Sequence, residues 1–328
     1  MTEGVDVSVV IISFNTRDVL RQCLRTVERE SDGLNVEIIV VDNASKDMSV
    51  EMVGAEFPHV VLVEHAENVG FGAANNAAIR KARGRYVVLL NSDAFLEAGA
   101  LRLAVEHMDG TPLAGVGGAR LVGQDGAWQP SAHEFPSVWL DFLMISGLQN
   151  KYPKSRFFGR MDRSWDDSLQ AAKVDWVTGA FLIVRPEALR KAGPFDEEFF
   201  LYYEEIDLCR RFKMAGYEVW YWPDIVVVHL GGESSKQSAQ EVSKIGRQIM
   251  LWHMRSSLIY YRKYHGAEAW WVMMLERFWY WMRAVRNERS SEPWKKERAA
   301  FCRSYKSLME QAWRETHGGR ISPPRPWK

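Results

Sequence analysis

The most apolar run in the front half of the chain is YVVLLNSD, at residues 86–93. Three further runs share its content of β-branched and other apolar residues: VSVVIIS at 7–13, VEIIVVD at 36–42 and VVLVEH at 60–65. Segments with the spacing of amphipathic helices lie between them. Strands buried on both faces of a parallel sheet are apolar almost throughout, and helices connect them. The sequence therefore predicts an α/β fold, with a mostly parallel sheet that carries helices on both faces.

The rest of the chain is less uniform. Residues 122–172 are rich in turn-forming and aromatic residues and lack a clear period, so we expect an irregular segment there. Beyond it, the pattern predicts a helix at 204–214 and a strand at 218–229. After that strand we expect helices broken near Gly266 and Pro293, with a disordered end.

The composition is that of a folded globular protein, with 47% hydrophobic and 26% charged residues among 328. The first residues lack a basic stretch followed by a long apolar one, so we find no signal peptide and predict a cytoplasmic protein. Its three cysteines are too few and too scattered for a disulfide framework or a cysteine-based zinc site. We expect them to be small buried apolar residues.

The net charge of zero conceals an uneven distribution. Residues 236–328 contain 19 Lys and Arg against 8 Asp and Glu, a balance of +11, which leaves −11 for residues 1–235. The same C-terminal segment holds 8 of the 14 tryptophans. We therefore predict two regions, an α/β domain at 1–235 and a basic, Trp-rich helical region at 236–328, with different partners.

Polar residues follow three of the predicted strands, and ligands of such sheets bind beyond the carboxyl ends of the strands. Asp42 is placed to accept hydrogen bonds from a base or a ribose, or else to cap the next helix. An ionised Asp93 directly after a buried strand is unfavourable unless it meets a cation or donors. Mg²⁺ or Mn²⁺ held by one or two carboxylates and by substrate phosphates would suit it. The alternative is that Asp93 caps a helix at 96–108.

The densest cluster of acidic and aromatic residues is FDEEFFLYYEEIDLCRRFKMAGY, at 195–217. In a helix from about residue 203, Glu204 and Asp207 share one face, Asp207 pairs with Arg211, and Glu205 points about 100° away from Glu204. The preceding aromatic residues would desolvate Glu205 and raise its pKa towards that of a useful general base. The alternative is the solvated start of an amphipathic helix.

Two further segments bear on ligand binding. His229 ends an apolar run and precedes Gly-Gly, so its imidazole can face a metal or a phosphate, or can be a structural histidine. Residues 68–76, NVGFGAANN, contain GFG but lack the third glycine of a dinucleotide fingerprint, and they follow the third strand instead of the first. A nicotinamide-dependent dehydrogenase therefore fits poorly.

Taken in order, seven segments resemble the inverting family 2 glycosyltransferases of GT-A fold, above all the rhamnosyltransferase-like branch that builds bacterial surface polysaccharides. They are VSVVIISFN, VVDNAS, NVGFGAANN, LLNSDAFL, TGAFLIVR, FDEEFFLYYEEIDLCRR and HLGGES. The resemblance covers roughly residues 6–235 and implies that residues 1–235 are the catalytic domain.

The resemblance also implies a role for each matching position. The nucleotide and the donor sugar are assigned to Ser13, Asn15, Asp42, Asn43, Asn68, Gly70, Phe71, Asn75 and Asn91. The acceptor side is assigned to Thr178, Gly179, Ala180 and Glu204. Asp93 and His229 would hold Mg²⁺ or Mn²⁺, and Glu205 would be the general base.

Two of these positions depart from the family's pattern. Asn91 replaces the first acid of the metal motif, so metal affinity would rest on Asp93, His229 and the diphosphate. Glu205 stands where relatives commonly have Asp, which moves the carboxylate by about one methylene. This puts the assignment of the base in question, but not the family.

The implied reaction is a single in-line displacement, in which a base removes the acceptor proton and a nucleoside diphosphate leaves on the metal. The branch favours a deoxythymidine diphosphate-rhamnose donor and a saccharide or lipid-linked acceptor. A nucleotidyltransferase would need a Gly- and Lys/Arg-rich loop after the first strand, which SFNTRD does not provide. A non-catalytic protein that binds sugar nucleotides remains the other alternative.

Residues 267–287, AEAWWVMMLERFWYWMRAVRN, are the second informative region. A helical wheel gathers a polar stripe of Glu268, Glu276, Arg283 and Arg286, and spreads Trp271, Met274, Leu275, Phe278 and Met282 over the rest. The longest uncharged stretch is far too short to span a bilayer. We predict a helix that lies on an anionic membrane, on the inner face of the cell membrane. The alternative is packing on the catalytic domain or on a second subunit of a homodimer. No nucleic-acid-binding module is recognised, so no nucleic-acid partner is expected.

Overall fold

The computed structural model describes residues 4–165, 168–231 and 242–324. The four apolar runs of the front half form strands whose ends lie within two residues of the prediction. These strands are β1 (Val7–Ser13), β2 (Val36–Asp42), β3 (Val61–Glu64) and β4 (Tyr86–Asn91). They are parallel, and their register places Ser13 beside Asp42, and Ile12 beside Asn91. The polar residues at their carboxyl ends are therefore gathered at one edge.

The helices of the front half connect these strands. They are α1 (Arg17–Glu30), α2 (Ser49–Glu56), α3 (Phe71–Ile79) and α4 (Ala100–Gly110). The prediction of a helix at 96–108 is wrong about where the helix begins. Residues 94–96 form a short strand, β5 (Ala94–Leu96), and the helix begins only after Gly99, whose φ is +78°. Ala94 and Leu96 are buried because this strand joins the sheet, which the apolar spacing alone does not reveal.

The second half completes the sheet and adds helices. Its strands are β6 (Ala114–Val122), β7 (Trp128–Gln129), β8 (Ala132–His133), β9 (Ala172–Lys173), β10 (Trp176–Val177), β11 (Phe181–Val184) and β12 (Glu218–His229). Its helices are α5 (Val138–Ser146), α6 (Leu148–Lys151), α7 (Pro186–Ala192) and α8 (Glu204–Met214). The predicted helix at 204–214 and strand at 218–229 are confirmed. The prediction that residues 122–172 are irregular is wrong in part, because helix α5 lies within this segment. The hydroxyl of Ser137 caps that helix.

The main sheet has the order β3-β2-β1-β4-β11-β6-β12-β5. Its centre is parallel, and β11 enters antiparallel between β4 and β6. Alternate residues of β1 face opposite layers, as expected for a doubly covered strand. Val9 and Ile11 pack with α1, α2 and α4, whereas Val10 and Ile12 pack with the layer of α3, α7 and α8. Helices on both faces of a mostly parallel central sheet confirm the predicted fold class.

Three C-terminal helices follow: α9 (Val242–His265), α10 (Glu268–Glu288) and α11 (Pro293–Glu315). Their breaks fall at Gly266 and Pro293, as predicted. Part of the C-terminal end predicted to be disordered, and the boundary at residue 235, lie outside the described residues. Within the described ranges, no helix combines the length and the apolar character needed to cross a bilayer. The three cysteines are free and buried, as expected.

Helix α9 packs against α8 through a buried carboxylate. Asp207 pairs with Arg211 at 2.7 Å, as predicted, and also accepts hydrogen bonds from Lys263 at 2.7 Å and from the Tyr264 hydroxyl at 2.6 Å. The ammonium of Lys263 additionally binds Asp196 at 2.6 Å. Two cations and a hydroxyl satisfy a carboxylate that would otherwise be unfavourable in the interior, so they fix α9 on the α/β domain.

Helix α10 buries part of its predicted polar stripe. One member of the predicted polar stripe, Glu276, is 7% exposed and accepts a hydrogen bond from the Tyr305 hydroxyl of α11 at 2.8 Å. Trp271 and Phe278, which the helical wheel places outside the stripe, are 59% and 55% exposed. Glu276 is buried because α10 packs against α5 and α11, and the side that α10 buries also includes Ala269 and Ala284.

Candidate active site

A cavity of about 330 Å³ opens at the carboxyl ends of the central strands. Twelve of the residues that the sequence singles out line it: Asn43, Asn68, Gly70, Phe71, Asn91, Asp93, Thr178, Gly179, Ala180, Glu204, Glu205 and His229. It is also lined by Ile12, Phe14, Ser92, Phe200, Leu201, Tyr202 and Ile249. Residues from seven separate parts of the α/β domain and one from α9 therefore meet at a single site.

The other four predicted residues lie beside the cavity and not on its wall. The Ser13 hydroxyl is buried, 3.2 Å from that of Thr16. Asn15 has a φ of +53° and accepts a hydrogen bond from the Lys46 backbone at 2.7 Å. The amide of Asn75 donates to the Phe71 carbonyl within α3. These contacts shape the loops that surround the site.

Asp42 combines a structural contact with an unsatisfied atom. Its Oδ1 accepts a hydrogen bond from the backbone N–H of Ser45 at 2.8 Å, the contact expected of a turn or cap residue. Its Oδ2 is buried and has no hydrogen-bond partner among the residues that the structure describes. A buried carboxylate oxygen without a donor is unfavourable, so a ligand N–H or O–H at this point would be stabilised.

Asn43 organises the loop that follows β3. Its side chain donates to Asn68 Oδ1 at 2.8 Å and accepts from the backbone N–H of Val69 at 2.9 Å. Asn68 Oδ1 also accepts from the backbone N–H of Gly70 at 2.9 Å. Two amide side chains thus hold residues 68–70 in the conformation that forms the cavity wall.

Gly70 allows this loop to lie against Phe200, in the segment that precedes Glu204 and Glu205. Its φ is +89°, and a Cβ there would lie 2.4 Å from the backbone oxygen of Phe200. The same oxygen accepts a hydrogen bond from the backbone N–H of Phe71 at 2.9 Å. Any side chain at position 70 would force these two segments apart.

Asp93 and His229 lie next to each other, with 3.5 Å between Asp93 Oδ1 and His229 Nε2. β5 and the end of β12 bring them together, because His229 pairs with Ala94 and the Leu230 backbone N–H donates to the Asp93 carbonyl. Gln129 Oε1 lies 3.1 Å from His229 Nδ1, and Gln129 Nε2 donates to the His229 carbonyl at 2.9 Å. Gln129 therefore favours the tautomer that carries its proton on Nδ1, which leaves Nε2 as a ligand atom on the Asp93 side.

Glu204 and Glu205 begin α8 after two residues with unusual backbone angles. Tyr202 and Tyr203 have φ values of +67° and +69°, a region that non-glycine residues seldom occupy. Each such residue costs on the order of 1–3 kcal/mol and persists only where its surroundings hold it. This double kink turns the chain so that both glutamates line the cavity.

The two carboxyl groups are poorly solvated. Burial raises the pKa of Glu205 to about 7, against the opposing effect of the backbone N–H groups of Glu205 and Ile206. Burial, with repulsion from Glu205, raises the pKa of Glu204 well above its usual range. The Oε2 atom of each is buried without a hydrogen-bond partner in the described part of the chain. The pair therefore favours a protonated Glu204 beside a Glu205 that ionises near neutrality.

The wall opposite Glu205 is open backbone. A Cβ on Gly179 would lie 3.8 Å from Glu205 Oε1, so the absence of a side chain there keeps space in front of the carboxylate. The neighbouring Thr178 hydroxyl is 3.0 Å from His133 Nε2, and His133 stacks on Trp176. Burial lowers the pKa of His133 to about 4, so the imidazole is neutral at pH 7. It can orient the Thr178 hydroxyl without adding charge.

Helix α9 closes one side of the cavity. Ile249 lines it, Trp252 stacks on Phe200, and the Ser256 hydroxyl donates to the Leu201 carbonyl at 2.8 Å. His253 contacts the rings of both Tyr202 and Tyr203 edge-on. The helix therefore packs along the strained segment that positions Glu204 and Glu205.

Sequence reasoning missed Gln129, His133 and Ile249. Gln129 and His133 fall in the segment expected to be irregular, where no period marks a strand. Ile249 lies in the C-terminal region and reaches the site only through the packing of α9. Tyr202 lies in the aromatic run before the two glutamates, and that run predicts the desolvation of Glu205.

The chain is similar in sequence and in fold to known glycosyltransferases. The family model "Glycosyl transferase family 2" matches residues 8–169. An N-acetylglucosaminyl-diphospho-decaprenol L-rhamnosyltransferase of Mycobacterium tuberculosis is 25% identical over 249 residues, which cover 72% of this chain and 77% of that protein. Rhamnosyltransferase WbbL of Escherichia coli is 24% identical over 269 residues, covering 77% and 92%. The solved mannosyltransferase PcManGT of Pyrobaculum calidifontis, in complex with GDP-Man and Mn²⁺, superposes with a TM-score of 0.54 at 19% identity, covering 95% of this chain and 86% of that one.

Proposed function

This chain is a glycosyltransferase of family 2 with the GT-A fold, and we propose that it transfers a sugar from a nucleoside diphosphate to an acceptor hydroxyl in one inverting displacement. Glu205 is the general base of this reaction. Asp93 and His229 would hold a divalent metal, which would stabilise the charge of the departing diphosphate.

One observation carries the proposal: a single cavity is lined both by the Asp93–His229 pair and by a carboxylate whose pKa is raised to about 7. A general base works best when its pKa lies near the working pH. An anion-binding site with no base would suit a sugar-nucleotide-binding protein equally well. The presence of both in one cavity favours transfer.

The residues present fit a Mg²⁺ or Mn²⁺ ion that the donor helps to bind. Two ligands at about 2.1 Å from an octahedral ion, at right angles, lie about 3 Å apart, and Asp93 Oδ1 and His229 Nε2 are 3.5 Å apart. Within the described ranges, no group of three or more His, Cys, Asp or Glu residues is placed to hold a metal. Such a site needs phosphate oxygens to complete its coordination, so we propose that metal and donor bind together. When bound, the ion neutralises the charge that develops on the diphosphate.

The protein's own groups supply the rest of the chemistry. Glu205 accepts the proton of the acceptor hydroxyl as its oxygen attacks the anomeric carbon and the bond to the diphosphate breaks. The open backbone at Gly179 leaves room for that hydroxyl beside the carboxylate. Glu204, held protonated, adds no second negative charge against the incoming oxygen. One basic carboxylate is sufficient, in contrast to the two that glycoside hydrolases use.

The donor's nucleotide is proposed to lie against the ends of β1 and β2. The buried Oδ2 of Asp42 offers an acceptor to a base N–H or a ribose hydroxyl. Asn43, Asn68, Gly70 and Phe71 form the wall beside it, and Asn91 leads to the diphosphate. Ser13, Asn15 and Asn75 contribute by holding the loops that form this pocket.

L-Rhamnose is the sugar that we propose, carried by deoxythymidine diphosphate. The names of two bacterial relatives, each matched over more than two thirds of its length, support rhamnose as the sugar. The nucleotide is the one that the resemblance to the rhamnosyltransferase-like branch implies. The name of the first also supports a lipid-linked saccharide as the acceptor.

We further propose that the C-terminal helices touch an anionic membrane, where a lipid-linked acceptor resides. Five large apolar residues on α10 are exposed: Trp270, Trp271, Phe278, Trp281 and Met282. Helical spacing places them on one broad face of about 120°. We call this surface the aromatic face. Tryptophan and other large apolar residues beside arginine are typical of helices that lie in the membrane interface.

Thermal unfolding with a panel of nucleotide sugars tests the donor proposal. A ligand that binds only the native state raises the melting temperature. We expect deoxythymidine diphosphate-rhamnose to do so in the presence of Mn²⁺ or Mg²⁺, and much less with EDTA. If only uridine or guanosine diphosphate sugars raise the melting temperature, the proposed donor is contradicted. If the rise is the same with metal and with EDTA, the proposed metal site is contradicted.

A further inference from the structure

A second cavity, of about 240 Å³, lies between the end of α10 and the start of α11. Four cationic side chains line it, those of Arg283, Arg286, Lys295 and Arg298, together with Ser290 and Trp294. We call it the basic cavity. It shares no lining residue with the active-site cavity, so it is a different site from the one proposed for the donor diphosphate.

The charges of the basic cavity are largely uncompensated. Lys295 pairs with Glu292 at 2.6 Å. Among the residues that the structure describes, no carboxylate lies within ion-pair distance of Arg283, Arg286 or Arg298. Like charges gathered around one cavity repel each other unless an anion enters. The fixed fork of a guanidinium matches the oxygens of a phosphate, and several such groups together favour it strongly.

The position of the basic cavity identifies the source of that phosphate. Arg286 lies about 6 Å along the helix axis from Met282 and about 40° around it, so this cavity residue borders the edge of the aromatic face. Trp294, 54% exposed, lines the cavity itself. Tryptophan side chains settle at the level of lipid headgroups, where phosphates are also found. A helix that inserts its aromatic face would therefore bring the basic cavity to headgroup depth.

We propose that the basic cavity binds the phosphate of an anionic membrane phospholipid. This inference rests on the membrane contact proposed above and gives it a specific site. Diffuse attraction of a basic surface to an anionic one depends only on how many charges lie near the membrane. A built site depends on which charges are removed.

Two double variants with the same loss of charge separate these cases. Arg286→Gln with Arg298→Gln removes two cavity guanidinia. Arg289→Gln with Lys296→Gln removes two exposed cations of the same helix ends that do not line the cavity. Binding to phosphatidylcholine vesicles with and without phosphatidylglycerol is measured at 0.1 M salt. Because charge-assisted hydrogen bonds are lost only in the cavity variant, we expect it to bind phosphatidylglycerol vesicles roughly tenfold more weakly than the control variant.

Each outcome decides the proposal. If both double variants weaken binding to phosphatidylglycerol vesicles equally, the attraction is diffuse. That result overturns the proposal that the basic cavity binds a lipid phosphate, but it leaves the proposed membrane contact in place. No binding of the wild type to phosphatidylglycerol vesicles overturns the inference and the membrane contact together. A rise in melting temperature with inorganic phosphate, lost in the cavity variant but without any difference in vesicle binding, assigns the cavity to a free anion and also overturns it. Transfer to a soluble acceptor, unchanged in both variants, keeps the catalytic proposal separate.

Discussion

The indole of Trp252 stacks on the ring of Phe200, with 4.4 Å between the ring centroids. The backbone carbonyl of Phe200 accepts a hydrogen bond from the N–H of Phe71, and the next carbonyl, of Leu201, accepts one from the Ser256 hydroxyl. Three parts of the chain therefore meet at Phe200 and Leu201: the loop at residues 68–71, the segment leading to the glutamates, and helix α9. Through Ile249 of α9, the C-terminal region also contributes to the wall of the candidate active-site cavity.

Replacing Trp252→Ala is expected to reduce stability and turnover together. Removing a buried tryptophan costs about 3–5 kcal/mol, and here it also frees the strained Tyr202–Tyr203 segment that positions Glu205. Trp252→Phe should restore most of both, because the indole N–H has no hydrogen-bond partner among the described residues and only the ring is needed.

Trp313→Ala, in α11, is the matched control for this effect. Trp313 packs against two apolar clusters of the C-terminal helices, but it is Trp252 that stacks on Phe200. The melting temperature of each variant is measured, and kcat is then determined at a temperature well below both unfolding transitions. If Trp313→Ala lowers kcat as much as Trp252→Ala at equal loss of stability, α9 has no specific effect on the glutamates.

The metal site predicts a graded series of variants. Asp93→Ala and His229→Ala should each abolish the part of nucleoside diphosphate affinity that depends on Mn²⁺, while the fold is retained. Gln129→Leu leaves both ligands in place but removes the group that orients the imidazole, so we expect metal affinity to fall by roughly 10- to 100-fold. Titration calorimetry with and without Mn²⁺ measures both. Unchanged metal-dependent affinity in Asp93→Ala contradicts the site.

A buried carboxyl pair predicts how stability depends on pH. Burial raises the pKa of Glu276 to about 8 and that of Asp141 to about 7. Between the usual range of these acids and those values, the folded state holds protons that the unfolded state has lost. Stability therefore falls as the pH rises through this window, by up to about 1.4 kcal/mol per pH unit for each group.

Glu276→Gln should remove a large part of that slope, since an amide still accepts the hydrogen bond of Tyr305 but cannot ionise. Urea unfolding at pH 5 and pH 8 measures the difference. The exposed Glu297→Gln serves as the control and should leave the slope unchanged. A wild-type protein that gains stability from pH 5 to pH 8 would show that Glu276 is ionised in the fold.

The aromatic face predicts membrane binding that resists salt. Basic charge alone gives binding that high salt abolishes, whereas inserted rings leave a fraction bound. Replacing Trp271, Phe278 and Met282 with Ser should remove that fraction and spare transfer to a soluble acceptor. These side chains are 59%, 55% and 38% exposed, so the variant should fold.

Three exposed apolar residues of the α/β domain, Leu113, Leu169 and Met214, provide the comparison when changed to Ser. Vesicle sedimentation at low and high salt should not distinguish that variant from the wild type. If the α10 variant instead converts a dimer into a monomer without affecting vesicle binding, the aromatic face is a subunit interface.

Much of the fold follows from local pattern. The strands β1, β2 and β4 are apolar almost throughout because both of their faces are covered, whereas β3 is an edge strand with Val61 39% exposed. The chain passes from strand to helix at predictable points. The start of α4 could not be predicted in this way. Whether residues 94–96 continue into a helix or join β12 depends on a strand more than 120 residues later, and no local spacing records that choice.

The site residues likewise fall into those that the local sequence predicts and those that depend on tertiary packing. Asp93 and Glu205 were recognisable because an acid after a buried strand, or within an aromatic cluster, is unfavourable without a function. Gln129 and Ile249 were not, since their importance comes entirely from which elements pack against each other. Glu276 is a further case: the helical wheel groups it with other charged residues, but the wheel does not show that a tyrosine from α11 satisfies it in the interior.

The pH profile offers a separate view of the base. Because Glu205 must be ionised to accept a proton, kcat/KM should rise with pH and level off above about 7, the pKa to which burial raises it. Glu205→Gln should lack this acidic limb. An acidic limb that persists in that variant would assign it to another group.

The most direct measurement is turnover and donor affinity in Glu205→Gln and Glu204→Gln, compared with the wild type. Loss of the base should reduce kcat of Glu205→Gln by roughly 10²- to 10⁴-fold while the Kd of the donor barely changes. Glu204→Gln should keep most of its activity, because burial already holds that carboxyl protonated and an amide resembles it. If Glu204→Gln is inactive and Glu205→Gln turns over normally, Glu205 is not the base.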